Sequence, residues 1–282
     1  MKTIICISVM VLSGLVLVGT PATGFDLPGK LTNPGDKLGI PDPIVDRVGS
    51  LMYTIKLKVC KLCTSSQELS LVKGVWTQLI TASPQCEPYK NAKVKKWQWQ
   101  MSLVDDVTTF DAEAFPGGKV LVYKGVCAMS RGDRAQMAFV LSHEMAHALA
   151  RHAKARFDKK TKQALLSAAT DGTLNAADLP PEVTLGAMTA MGVAYENAQV
   201  VPFSKAQELE ADRNALLIMA QAGYDPEASL KYLKNCSEFL NKNGSKATRS
   251  ALDDHPPIQE REANLREYMP EALDIYQNSR KG

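Results

Sequence analysis

The sequence predicts a mainly helical α+β domain in which several long helices surround a small β-sheet. Apolar residues recur at helical spacing over long stretches, whereas strict alternation is confined to a short window holding Trp97, Trp99, Met101 and Leu103. A turn at Pro116-Gly117-Gly118 then leads into a second short strand. The 282 residues are 45% hydrophobic and 22% charged, enough for one sizeable core. Lys and Arg number 33 against 30 Asp and Glu, a formal charge of +3, so the basic stripe that nucleic-acid binding needs is missing and no nucleic-acid partner is expected.

Taken in order, Lys2, the apolar run from Ile4 to Val18 and the exit Thr20-Pro21-Ala22-Thr23-Gly24 read as a signal peptide over residues 1–24. The alternative is an uncleaved anchor, but the run is shorter than the roughly 20 apolar residues of a membrane-spanning helix. Residues 25–43 carry four prolines and three glycines and read as an extended lead-in. Residues 44–282 read as a single domain.

From residue 44 to about 80, Val45, Val48, Leu51, Met52, Ile55, Leu57, Val59 and Leu62 keep helical spacing, which predicts one long helix ended by Pro84 and Pro88. Residues 94–104 alternate, with Lys96, Gln98, Gln100 and Ser102 opposite the apolar face, and predict a half-buried strand. Its two tryptophans read as core rather than as a stacking platform. Lys119-Val120-Leu121-Val122-Tyr123 is the next strand. Helices are then predicted over 134–157, 183–201, 205–222 (closed by Gly223, with Pro226 beyond), 226–240 and 257–279.

Of the six cysteines, Cys6 falls in the signal segment, leaving Cys60, Cys63, Cys86, Cys127 and Cys236. An odd set in an exported chain leaves at least one thiol free or paired between molecules. Cys60 and Cys63 have CxxC spacing, but no second CxxC accompanies them, so structural disulfides or buried thiols are expected rather than a zinc ribbon.

The chemistry concentrates in the helix predicted over 134–157, at His143-Glu144-Met145-Ala146-His147. Residues four apart on an α-helix are offset by about 40°, so both imidazoles project toward one point and suit a single zinc ion. Glu144, about 100° from His143, can reach water beside the metal. Flanks such as Phe139, Val140, Leu141 and Leu149 mark the helix as buried, where two unpaired histidines are costly unless they share a partner. His152 lies nine residues beyond His143, about 180° round the helix, and is expected to face elsewhere. A third ligand is expected from Glu208-Leu209-Glu210-Ala211-Asp212. Glu208 and Asp212 share a face, one for the metal and one for a ligand histidine, while Glu210 projects about 200° away from Glu208.

His143-Glu144-x-x-His147 running into Ala150-Arg151-His152, Glu208-x-x-Ala211-Asp212, and Asp254-His255-Pro256-Pro257 followed by Arg261 together resemble the HtpX/BepA/Oma-type zinc endopeptidases, relatives of the CAAX prenyl proteases. The resemblance runs from Pro116-Gly117-Gly118 to about Tyr276, with further pieces at Ala222-Gly223-Tyr224-Asp225-Pro226 and Met269-Pro270-Glu271-Ala272. Where that family often has Asn-Ala-Phe, Asp111-Ala112-Glu113 stands here.

The resemblance implies a gluzincin-type metallopeptidase domain whose edge strand flanks the motif helix. One zinc would be held by His143, His147 and Glu208, with Asp212 supporting a ligand, Glu144 as general base, and His255 and Arg261 facing the substrate oxyanion. Strand Lys119–Tyr123, if a sheet edge, would take the substrate as an added strand. The expected substrates are unfolded or misassembled envelope proteins of the bacterial periplasm, with a possible outer-membrane assembly partner. The alternative is a latent relative in which His255 caps the zinc and the domain acts as a chaperone-like assembly factor.

Overall fold

A computed structural model describes residues 42–86, 97–155, 203–243 and 255–281, all within one compact unit spanning Gly39–Gly282. The signal segment, the lead-in up to residue 41 and the helix expected over 183–201 lie outside the described residues.

The helix expected over 44–80 is two helices, α1 (Asp42–Val59) and α2 (Gln67–Ala82). The segment between them leaves the helical path to cover the outer edge of the sheet: Leu62 bridges Val104, and Cys63 N donates to Leu103 O at 2.8 Å. Ser66 then starts α2 by accepting from Leu69 N with its hydroxyl. Both helices face the core, so apolar spacing continues across the break and hides it.

Strand β1 (Gln100–Val104) follows, shorter than expected, with Trp97 and Trp99 just ahead of it. Their rings are 5.4 Å apart, and Trp99 meets Trp76 of α2 at 5.8 Å and packs against the core, while Trp97 is half-buried beside it. An unanticipated strand β2 (Ala112–Phe115) precedes Gly117 and Gly118, whose φ values of 81° and 74° make the turn into β3 (Lys119–Tyr123). A short helix α3 (Lys124–Met129) also went unanticipated.

The sheet order is β1-β3-β2, with β1 parallel and β2 antiparallel to β3. This corrects one expectation: Lys119, Val120, Leu121, Val122 and Tyr123 form the central strand, paired on both sides and buried along its whole length, and cannot accept a further strand. Val120 and Val122 join the main core, while Leu121 and Tyr123 pack with Met52 and Tyr53 of α1. Burial on both faces explains the run Val-Leu-Val-Tyr without alternation.

The edge strand that lies against the motif helix is β2. Tyr123 N donates to Asp111 O, so in the alternating antiparallel ladder Glu113 and Phe115 turn their backbone groups to β3 while those of Ala112 and Ala114 face the edge that pairs with no strand among the described residues. Glu113 is tied inward by Lys56 Nζ at 2.9 Å and the Tyr123 hydroxyl at 3.0 Å.

Helix α4 (Arg134–Leu149) starts at Asp133, whose carboxylate accepts from Ala135 and Gln136 N–H. The unbroken helix expected from residue 134 onward is interrupted at residues 150 and 151. Ala150 closes the helix, Arg151 adopts a left-handed φ of 57°, and a new helical turn begins at residue 152.

Helix α5 (Lys205–Gln221) opens with a reciprocal capping box between Ser204 and Gln207. It closes with Tyr224 N on Met219 O and Gly223 N on Ala220 O, a Schellman end. Helices α6 (Ala228–Asn243) and α7 (Ile258–Ser279) complete the described chain. Helix α4 packs along α5 and α5 along α7, which brings the charged residues of all three to one place. No helix among the described residues is long and apolar enough to cross a membrane.

Candidate metal centre

Helix α4 contributes His143, Glu144 and His147, α5 contributes Glu208 and Asp212, α7 contributes Arg261, and His255 sits just ahead of α7. Apart from His255 these side chains are almost fully buried, Asp212 completely. His143 Nε2 and His147 Nε2 are 3.0 Å apart, and Glu208 places one oxygen 3.2 Å from the first and the other 3.4 Å from the second. Tetrahedral bonds of about 2.0–2.1 Å set ligand atoms roughly 3.3 Å apart, so the three groups are spaced as zinc would require. They are the one cluster of metal-ligating side chains among the described residues.

A ring of hydrogen bonds orients these groups. His143 Nδ1 donates to Asp212 Oδ1 at 2.9 Å, which orients the ring with Nε2 directed at the cluster. Asp212 is clamped by Arg261, with Nε on Oδ2 at 2.8 Å and Nη2 on Oδ1 at 2.6 Å. Two of the three guanidinium nitrogens of Arg261 are therefore engaged in holding Asp212. His147 stacks on Phe203 at 4.1 Å. Glu210, the competing carboxylate, turns outward to a half-exposed position.

Protonation follows from these contacts. Burial pushes His143 down, but Asp212 and Glu208 more than offset it and raise its pKa to about 9. His147 shares Glu208 but not Asp212, and burial, with the neighbouring His143 adding to it, takes it down to about 3. Burial raises Glu144 to about 8 against the opposing pull of His143. Glu208 and Asp212 are held well below the usual carboxylate range despite burial, Glu208 by three histidines and Asp212 by Arg261 and His143.

A cleft open to solvent reaches this cluster, with His143, Glu144, His255, Arg261 and Tyr232 in its wall. Glu144 hydrogen-bonds to none of the described residues, so its carboxylate is available to the cavity. His255 is hydrogen-bonded through Nδ1 to Glu208 Oε2, with its ring 5.1 Å from that of His143.

Sequence reasoning missed two neighbours. Tyr232 of α6 reaches the cavity from a helix with no motif of its own. His152, expected to face away, has Nδ1 2.9 Å from His147 Nδ1. The left-handed Arg151 ends the helix and swings the next residue back, and no glycine or proline there signals the turn.

A matching family model, peptidase family M48, covers residues 83–269. Among curated relatives, the mitochondrial metalloendopeptidase OMA1 of Saccharomyces cerevisiae is 26% identical over 212 residues, 74% of this chain and 58% of that protein. The Arabidopsis thaliana protein of the same name is 32% identical over 219 residues, 77% of this chain and 41% of its own. The β-barrel assembly-enhancing protease of Escherichia coli K12 is 28% identical over 131 residues, 46% of this chain and 26% of its own. The chain thus spans about half the length of the first of these relatives and less of the others. With the HExxH helix, the converging carboxylate of α5 and a family match over most of the described core, this chain belongs to peptidase family M48.

Proposed function

We propose that this protein is a zinc metalloendopeptidase that cuts unfolded or misassembled polypeptides. The observation that carries the reading is the convergence of His143, His147 and Glu208 beside an unengaged Glu144 at the wall of a cavity. His143, His147 and Glu208 would hold a zinc ion, which when bound would supply Lewis acidity for a peptide carbonyl and for water, whose pKa it would bring toward ~7. Glu144 takes the proton of the attacking water and passes it to the leaving amine nitrogen. His255, at the cavity wall, hydrogen-bonds the carbonyl oxygen as charge develops there, with the positive Arg261 behind it.

The free edge of β2 is the better seat for substrate than the central strand β3. The outward backbone groups of Ala112 and Ala114 offer donors and acceptors to an added strand, and their small side chains leave room for it. Backbone pairing reads no side-chain identity, which suits unfolded segments of many sequences. The segment from Lys2 to Gly24 supports export, with envelope proteins as substrates, the periplasm as the place of action and an outer-membrane assembly partner.

His255 on Glu208 favours one second reading, a latent form in which the histidine stays at the metal site and the domain acts as an assembly factor. The test is Glu144→Gln in the purified protein. Zinc content by elemental analysis should stay unchanged while casein cleavage falls at least ~10²-fold. Cleavage retained by the variant would refute the peptidase assignment, and a wild-type protein that binds zinc yet never cleaves would favour the latent form.

A further inference from the structure

Arg151 is a non-glycine residue in the left-handed region, at φ 57°, one residue before His152. Such a conformation persists where surroundings over-determine it, and often at functional sites. Here the surroundings come from α1. Asp42 pairs with Arg151 Nη2 at 2.8 Å and Asp46 with Nη1 at 3.2 Å. The guanidinium lies 5.3 Å above the Trp97 ring, whose Nε1 donates to Asp46 at 2.8 Å. One side chain is thus paired by charge with two carboxylates, without hydrogen-bond geometry at Nη2 or at Asp46 Oδ1, and covered by an aromatic face, two of the three from a helix lying ahead of the matched family segment.

These contacts hold the residue just ahead of His152. Its backbone carbonyl accepts from Gln207 Nε2 at 3.2 Å, tying the turn to the start of α5, and its ring meets His147 Nδ1 at 2.9 Å. If His147 offers Nε2 to a metal, its Nδ1 carries the proton and needs an acceptor. His152 Nδ1 is that acceptor, which puts the proton of His152 on Nε2. This nitrogen is buried, without a hydrogen bond among the described residues, and lies 3.4 Å from Glu210 Oε2, the carboxylate that the metal cluster does not use. His143 leans on Asp212 and Arg261, and His147 leans on His152.

We propose, on the metal-site reading given above, that His152 is the positioning residue for metal ligand His147, and that α1 holds it in place by clamping Arg151 through Asp42 and Asp46. The helix ahead of the matched segment is then a working part of the metal centre.

The test is zinc affinity, measured by chelator competition on the full chain, with the absorption spectrum of the cobalt-substituted protein as a second readout. His152→Ala should weaken zinc binding about 10–100-fold and shift the cobalt bands. His152→Asn, whose amide oxygen can accept from His147 Nδ1, should restore most of that loss. Asp42→Asn with Asp46→Asn should weaken binding in the same direction, by less. Arg151→Gly and Arg151→Ala both remove the guanidinium but differ in tolerance of the left-handed turn, so glycine should bind zinc more tightly than alanine. Unchanged affinity in His152→Ala, or equal losses in the alanine and asparagine variants of His152, would overturn the positioning role. Equal affinity for the two Arg151 variants, or none lost in the double aspartate variant, would overturn the clamp. If the unaltered protein binds no zinc, the metal-site reading itself falls.

Discussion

Asp212→Asn probes the buried charge network most directly. The carboxylate is completely buried; Oδ1 accepts from His143 Nδ1 and Arg261 Nη2, and Oδ2 accepts from Arg261 Nε. An asparagine can keep its oxygen at the first position and save two of these bonds. Its amide N–H then faces Arg261 Nε–H, donor against donor, and the buried guanidinium loses its counter-charge. One lost charge-assisted bond costs about 1.5–3 kcal/mol, and an uncompensated buried charge brings the total to about 3–5 kcal/mol. Because His143 keeps an acceptor, zinc affinity should fall only ~10-fold, which removes about 1.4 kcal/mol from the stabilisation that saturating zinc confers. Urea unfolding with and without zinc measures both quantities, provided the slope m stays constant. A metal-free loss below about 1 kcal/mol would refute the buried-charge reasoning. An unchanged zinc increment would refute the role of Asp212 in orienting His143.

Other outcomes follow from the same geometry. In the metal-free protein, His143 and Glu144 both have folded pKa values raised above their ordinary ones, to about 9 and about 8, so their contribution is complete at low pH and is lost as pH rises through those values. Thermal melts in chelator should therefore show the midpoint falling between pH 6.5 and 9; a midpoint that rises over that window contradicts the assignment. Ala114→Pro removes an outward N–H from β2 without touching its ladder to β3, so KM for an unfolded substrate should rise several-fold at little cost in melting temperature. An unchanged KM would place substrate elsewhere. A Cβ on Gly49 would sit 2.3 Å from Pro116 O, so Gly49→Ala must push α1 off the β2–β3 turn at about 1–3 kcal/mol in urea unfolding. A neutral result would mean that α1 does not dock there.

Much of the site was legible before any coordinates, because its signals are local. The spacing of His143 and His147 on one helix and of Glu208 and Asp212 on another follows from helical pitch alone. The helices of α4, α5, α6 and α7 were visible for the same reason. The break at Cys60–Ser66 was hidden because apolar spacing is indifferent to whether the chain pauses to pair with a strand. Strand β2 was hidden because Ala112–Phe115 is short and lacks the β-branched residues that announce a strand.

By itself the sequence determined which histidines and carboxylates share a helix face, their spacing and the hydrophobicity that buries them, since each depends on residues a turn or less apart. Tertiary structure alone decided which strand is the edge, that Arg261 grips Asp212 from 49 residues away, and that His152 returns to His147. Strand order depends on which partners lie on either side of Lys119–Tyr123, and the left-handed Arg151 meets carboxylates from α1, more than a hundred residues earlier in the chain. Local periodicity carries no record of such partners, and packing of distant elements against one another supplies them.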